Sequence, residues 1–347
     1  KKQQQKIGNC LPLSTCYCLK SLIMNSIRSF FNKQLPKLQN LGESTSACRV
    51  YNFFAFLGAF QSLTLATRTC RSIYDNFIRK GHNLTQRYGS GTWAVVTGAT
   101  DDIGLGFAQE LASRGFNICL IAQDKDKLKT YAENLREEFK INTQFIVMDF
   151  AELKQLADYE ETLSKLDTIE VSILVNTVEN NEGGNYHEWS YHKIQEFLTA
   201  NINSQVVFSR FFAEKMLKRE KKSAIITLAS MSAYLPVGNM IAMYTAAKAF
   251  NHVLSLALSE EYRHKLDVMS VTPGKVANQS NIETPSKEVT PRSFAQTSLR
   301  DLGHKDETAG VLQFKFVATM LRYSRYCTWM RHFIAKKNKE LYENSKQ

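Results

Sequence analysis

Beyond about residue 90 the chain alternates between two hydrophobic patterns. Short runs that are apolar throughout give way to stretches whose apolar residues recur every three to four positions. The runs predict strands at Trp93–Thr97, Phe116–Ala122, Phe145–Met148, Val171–Asn176, Ala224–Ala229 and Val268–Thr272. Between the first two lies a helical stretch, Ile103–Arg114, with Phe107 and Leu111 on one face and Gly115 at its end. Lys127–Phe139 reads as a second helix. Strands without a polar face must be covered on both sides, and strands separated by helices run parallel. The expected fold is α/β, a doubly wound, mostly parallel sheet that binds ligands at the carboxyl ends of its strands. Residues 89–305 should form this domain, followed by a C-terminal amphipathic helix and tail over 306–347. That last part, "GVLQFKFVATMLRYSRYCTWMRHFIAKK", mixes apolar and aromatic residues with Lys and Arg, as in a helix that covers a substrate tunnel, lies on a membrane or packs terminally.

Ahead of the domain the pattern changes. From Met24, "MNSIRSFFNKQLPKLQNLG" puts Ile27, Phe30, Phe31, Leu35 and Leu38 on one helical face, like a mitochondrial transit peptide, with Pro36 as an interruption. Val50–Thr67 is an uncharged run of 18 residues between Arg49 and Arg68. As a helix it would span ~27 Å, close to a hydrocarbon core, although Asn52, Gln61, Ser62 and Thr64 are polar. Residues 1–48 therefore read as a basic leader, disordered or targeting, and 49–88 as a membrane-associated helix and linker. Arg68, Arg71, Arg79 and Lys80 on the far side would leave the domain facing the cytosol or the matrix. On that topology the sequons at Asn83 and Asn278 are accidental.

Charge sharpens this division. Residues 1–95 hold 13 Lys or Arg against two acids, Glu43 and Asp75, so the whole net charge of +11 lies there. The rest is neutral, with 31 basic and 31 acidic residues. A neutral domain with a basic leader points to a membrane or an import route, and no nucleic-acid partner is expected. Five of the seven cysteines stand at or before Cys70, without a CxxC spacing, and read as free thiols. His187, His192 and Glu182 read as solvated loop residues, and no metal site is expected.

The candidate chemistry falls where strands end. "TGATDDIG" follows the first strand, Asp149 the third, Asn176 the fourth, Ser230 the fifth and "PGKV" the sixth. "YTAAK" then sets Tyr244 and Lys248 one helical turn apart on the same face. An ammonium close to a phenol favours the phenolate, and a serine hydroxyl can orient a carbonyl beside it. Tyr, Lys and Ser together can move a proton at a carbonyl or alcohol oxygen while a nicotinamide passes hydride.

These residues resemble the short-chain dehydrogenase/reductase family over roughly residues 86–305, which implies a Rossmann-like fold. "RYGSGTWAVVTGATDDIG", "SEEYRHK" and "FAQTSLRDLGHKDETAG" are most similar to the membrane-bound very-long-chain 3-oxoacyl-CoA reductases and their 17-beta-hydroxysteroid dehydrogenase relatives. The resemblance implies NADP(H), with NAD(H) left open, and a lipid-like carbonyl substrate such as a 3-oxoacyl-CoA or a 17-ketosteroid. It implies an endoplasmic reticulum membrane location facing the cytosol, whereas the acid-free leader fits a mitochondrion. A homodimer or a subunit of a membrane complex is the implied assembly. Carried over, Tyr244 is the acid/base, Lys248 its partner and ribose ligand, Ser230 the carbonyl-orienting serine and Asn201, in "ANINS", the holder of a relay water. Thr97, Gly98, Ile103 and Gly104 match the cofactor loop, Asp149 the adenine contact, Asn176 the end of the fourth strand, and Pro273, Gly274 and Val276 the nicotinamide-facing loop. The loop from Lys275 to Thr297 should cover the substrate.

Several positions depart from the family pattern. Asp102 stands at the middle glycine, Gln123 at an arginine of NADP-preferring members, and "NTVE" puts Thr177 and Glu179 in place of Asn and Gly. Asn278 replaces a threonine, and the spacing from Ser230 to Tyr244 is one residue long, explicable by an insertion near Gly238; Met231 and Ser232 are its neighbours. Lys125 or Lys127 is placed to replace the missing arginine at a 2′-phosphate. A carboxylate ~5 Å from a phosphate costs about 3 kcal/mol at an effective dielectric near 20, on the order of a hundredfold in affinity. Two readings follow: an active reductase that tolerates Asp102 and Glu179, or a catalytically weak or silent member acting as a structural or binding subunit of a membrane complex.

Overall fold

In the computed structural model the described residues are Ser29, 45–153, 156–235, 241–277, 289–324, His332, Phe333, Lys336 and Glu340. The chain divides into two units, up to Arg79 and from Lys80. The first holds helix α1, Thr45–Ile73, and a π-helical turn at Tyr74–Ile78. The uncharged run thus forms a helix, but the expectation of a membrane span is corrected: among the described residues no helix is long and apolar enough to cross a membrane. Asn52, Gln61, Ser62, Thr64 and Thr67 dilute its apolar surface. The Thr64 and Thr67 hydroxyls fold back onto main-chain oxygens at 2.8 and 2.9 Å, while Phe53, Phe54, Phe56 and Phe60 stay exposed. The leader helix expected from Met24, Ser29 apart, and the position of the insertion near Gly238 lie outside the described residues. So do Asn278 and the stretch 278–288 of the loop expected to cover the substrate; the end of that expected loop is corrected, since from Pro291 it is helical and buries Phe294 and Ala295 in the core.

The second unit is built on a parallel sheet of seven strands: β1 Trp93–Thr97, β2 Asn117–Ala122, β3 Thr143–Val147, β4 Val171–Asn176, β5 Ser223–Leu228, β6 Leu266–Val271 and β7 Glu307–Thr308. Their order is β3-β2-β1-β4-β5-β6-β7, reversing direction at β1 and β4. Nine helices are described around it: α2 Leu84–Tyr88, α3 Asp102–Ser113, α4 Lys125–Phe139, α5 Leu156–Lys165, α6 Tyr191–Leu198, α7 Ser204–Leu217, α8 Ala242–Tyr262, α9 Pro291–Asp301 and α10 Leu312–Ser324.

Successive strand residues point to opposite faces, so one apolar run feeds two cores. Ala94, Val96, Ile118, Leu120, Ile173 and Ile226 pack with Phe107, Leu111, Leu128 and Phe294 of α3, α4 and α9. Val95, Cys119, Ile121, Leu174 and Ile225 pack with Tyr159, Phe208, Phe212 and Met216 of α5 and α7. Each fully buried aliphatic chain contributes about 1.5–3 kcal/mol, which is why the inner strands carry no polar face. Cys119 belongs to this core, and burial pushes its thiol up to about 12. The Asn83 carboxamide caps α2 by accepting from the Gln86 N–H at 3.1 Å.

Two ends of the sheet differ from the sequence expectation. β3 begins at Thr143, and Phe145 and Val147 are exposed, because it is an edge strand with an uncovered face. β7 pairs with Ser270 and Val271 of β6, so the sheet runs past residue 305. α10 is fastened to this edge. The Lys315 ammonium meets Asp301 at 2.7 Å, and Asp301 also accepts from the Thr308 hydroxyl at 2.7 Å. Arg322 meets Glu307 at 2.6 Å and donates to the Tyr234 hydroxyl at 2.8 Å. His252 lies 3.4 Å from Glu307 and shares a hydrogen bond with Ser270 at 2.9 Å.

Candidate active site

The cleft forms over the carboxyl ends of β1, β4, β5 and β6. After Thr97 the chain turns at Gly98, whose φ is +66°. A Cβ on Gly98 would stand 2.8 Å from the Thr177 carbonyl, and one on Gly104 2.5 Å from the Gly98 oxygen and 2.7 Å from the Thr177 hydroxyl oxygen. Both glycines are therefore required by close packing. The Thr177 hydroxyl donates to the Thr97 carbonyl at 2.5 Å and the Thr97 hydroxyl to Val175 at 3.5 Å, tying β1 to β4 beneath the turn. Asp101 ends the turn, its carbonyl accepting from the Leu105 N–H at 2.9 Å, and Asp102 opens α3.

The cavity measures about 720 Å³. Of the residues singled out from the sequence, Asp102, Ile103, Ser230, Tyr244, Pro273, Gly274 and Val276 line it. Thr97, Gly98 and Gly104 shape the turn behind its wall. Gln123 is exposed outside the lining; Asp149 accepts from the Ala151 N–H at 2.9 Å, and buried Asn176 donates to Ser209 at 2.9 Å. Lys127 and Lys275 line the cleft, and Lys127 meets Asp124 at 3.5 Å. Exposed His187 and His192 face Glu188 and Glu196 at 3.9 and 3.2 Å.

Ser230 stands at the end of β5 with its hydroxyl oxygen accepting from the Ser232 N–H at 3.2 Å. Met231 turns into the core and the buried Ser232 hydroxyl has no partner among the described residues, so of the three only Ser230 faces the cleft. Tyr244 lies in the first turn of α8. One turn on, Lys248 is fully buried, its ammonium 5.5 Å from the Tyr244 ring centre and 3.3 Å from the Leu228 carbonyl. The same ammonium forms an ion pair of 2.7 Å with Glu179.

Burial pushes the Tyr244 phenol well above its usual value, and the Glu179 carboxylate adds to the rise by repelling the phenolate. A hydrogen bond with Ser230 works the other way, and one with Glu179 raises it further. Asp101 is exposed on one side and crowded by protein on the other. Partial desolvation, then repulsion from Glu179 and Asp102, raise its carboxyl to about 6 against the pull of Lys248 and Lys127.

Asn201 sits in a π-helical turn, Thr199–Asn203, between α6 and α7. Its amide donates to the carbonyls of Asn180 and Phe197 at 3.1 Å and accepts from the Asn180 N–H at 3.1 Å. Its own carbonyl accepts from Asn251 of α8 at 2.9 Å. Such bulges recur at functional sites. Glu179 entered the sequence reading only as a charge out of place. Its contacts with Lys248 and Tyr244 were not read, and a carboxylate in place of glycine at a strand's carboxyl end was the available signal.

Residues 92–289 match the model of the short chain dehydrogenase family. A very-long-chain 3-oxoacyl-CoA reductase of Anas platyrhynchos is 33% identical over 264 residues, covering 73% of this chain and 82% of the relative. Among solved structures, a 7beta-hydroxysteroid dehydrogenase superposes with a TM-score of 0.60 at 19% identity, covering 70% of this chain and 99% of the other. A short-chain dehydrogenase from Sphingobium yanoikuyae in complex with NADPH gives 0.55 at 22% identity, over 63% of this chain and 87% of that one. The two structures speak for the fold; the sequence matches go further, and the chain belongs to the short-chain dehydrogenase family of oxidoreductases.

Proposed function

We propose that the protein is an NADP(H)-dependent reductase of a lipid-like carbonyl, a 3-oxoacyl-CoA or a 17-ketosteroid. The observation that carries this reading is that Tyr244 and Ser230 face one cleft with the Lys248 ammonium beneath the ring. The tight turn at Gly98 and Gly104 and the positive end of α3 suit a diphosphate. Asp101, Asp102 and Glu179 oppose it, so the dinucleotide fits at a cost in affinity. Bound nicotinamide supplies the hydride. Ser230 orients the carbonyl, and the Tyr244 phenol, held protonated, donates to the oxygen as it gains charge. Lys127 and Lys275 offer positive charge to a phosphate. The substrate class rests on the likeness to 3-oxoacyl-CoA reductases.

In the same reading Lys248 and Asn201 support the acid/base, and Ile103, Pro273, Gly274 and Val276 form the cofactor's bed, with Thr97 shaping the turn behind it. The catalytic domain, expected over 89–305, extends through β7 at Glu307–Thr308. The exposed aromatic residues of α1, together with Arg68 and Arg71, suit association with a membrane surface, at the endoplasmic reticulum or in a mitochondrion.

The test is titration of the purified protein with NADPH, followed by consumption in the presence of 3-oxoacyl-CoA. Micromolar binding and turnover lost in Tyr244→Phe are expected; no binding at millimolar cofactor sinks the reading. That negative result would favour a silent binding subunit, a reading supported by one observation: a carboxylate already occupies Lys248.

A further inference from the structure

Glu179 stands within a cluster that ordinary packing does not require. Lys248 is fully buried, and a buried ammonium needs a counter-charge. Glu179 provides it at 2.7 Å from a side chain that is only one quarter exposed. The carboxylate also lines the same cleft as Tyr244 and opposes ionisation of its phenol. The segment that carries it is held from behind. Asn201 grips the neighbouring residue, Asn180, by both its N–H and its carbonyl, and Asn251 of α8 grips Asn201 in turn. The helix bearing Tyr244 and Lys248 is thereby tied to the segment bearing Glu179.

We propose that Glu179 is a positioning residue: it pairs with the Lys248 ammonium and so keeps that charge from acting on Tyr244 alone, leaving the phenol as the proton donor, with Asn201 fixing the segment that carries Glu179. The proposal deepens the reductase reading and rests on Tyr244 being the proton donor. An ammonium left to act on the phenol alone would favour the phenolate; a carboxylate paired with that ammonium opposes the influence. Other charged groups share the cleft with Tyr244. Asp101 and Asp102 open α3, Lys127 comes from α4, and Lys275 follows β6, all lining the same cleft. Ser230, after β5, is the neutral neighbour.

The experiment follows the Tyr244 ring carbon by NMR in protein labelled at tyrosine, assigned with Tyr244→Phe, as pH is raised without cofactor. In the unsubstituted protein the signal should not titrate within the usual tyrosine range. In Glu179→Gln, which keeps an acceptor and removes the charge, the midpoint should fall by about 1–2 pH units. Glu179→Asp, which keeps the charge but withdraws it by one methylene, should show a smaller fall, and decides the matter if circular dichroism shows Glu179→Gln unfolded. Asn201→Ala should move the midpoint in the same direction. An unchanged midpoint in the folded Glu179 variants overturns the proposal. The titration needs neither cofactor nor substrate, so a protein that fails to bind NADPH can still show the shift, and the converse also holds.

Discussion

The two walls of the cleft are built on different terms. On one side, the turn from β1 to α3 keeps the backbone of a diphosphate site but lines it with Asp101 and Asp102. On the other, α8 keeps the side chains of a proton-transfer pair but gives Lys248 a carboxylate partner. Geometry is retained where atoms collide: neither Gly98 nor Gly104 has room for a methyl group. Charge is free to change where side chains face the cleft, since Asp102 meets no such steric limit. A site can therefore keep its shape while its electrostatics drift, and shape alone does not report affinity.

The contrast is most sharply tested on the α8 wall. Replacing Tyr244 by Phe should lower carbonyl-dependent NADPH consumption by ~10²–10⁴-fold while leaving cofactor binding within a few fold, because only the proton donor is lost. Equal loss of both would mean that the two walls do not act separately. On the turn, Gly104→Ala forces a methyl group into the Gly98 carbonyl and should destabilise the fold by about 1–3 kcal/mol, read as a lower midpoint in urea. An unchanged midpoint would remove the steric half of the comparison. Asp102→Gly should do the opposite in kind, tightening NADPH by about ten- to a hundredfold at low salt, with the gain shrinking as ionic strength rises. If affinity does not improve, the charge half is wrong.

The smallest effect concerns pH. Because the Asp101 carboxyl is raised to about 6, the folded protein binds its proton more tightly than the unfolded chain, whose value is near 3.8. Its contribution to stability is therefore fully present below about 3.8 and is lost as pH rises through about 6. An anionic cofactor should bind a few fold more tightly as pH falls through the same window, and Asp101→Asn should flatten that limb in a fluorescence titration.

What the sequence carried follows from which signals are local. The inner strands were legible because burial on both faces demands unbroken apolar runs, as in Val171–Asn176. β7 was not, since Glu307 and Thr308 have no pattern of their own and pair only because β6 offers an edge. Tyr244 and Ser230 were visible as polar residues where helices and strands meet the cleft. The Glu179–Lys248 contact was invisible: it joins distant parts of the chain and depends on Asn201 drawing the Asn180 segment close. The helix at Val50–Thr67 was legible as a helix, but its 18 uncharged residues overstated its apolarity, because absence of charge is not presence of hydrocarbon.

One further consequence comes from the far side of the sheet. β7 is two residues long, and an open strand edge invites pairing with another chain. α10 guards it through two clasps, Lys315 on Asp301 and Arg322 on Glu307. Removing α10 would thus unmask a sticky border and leave Glu307 without its guanidinium, so its loss should show first as self-association, before any change at the cleft.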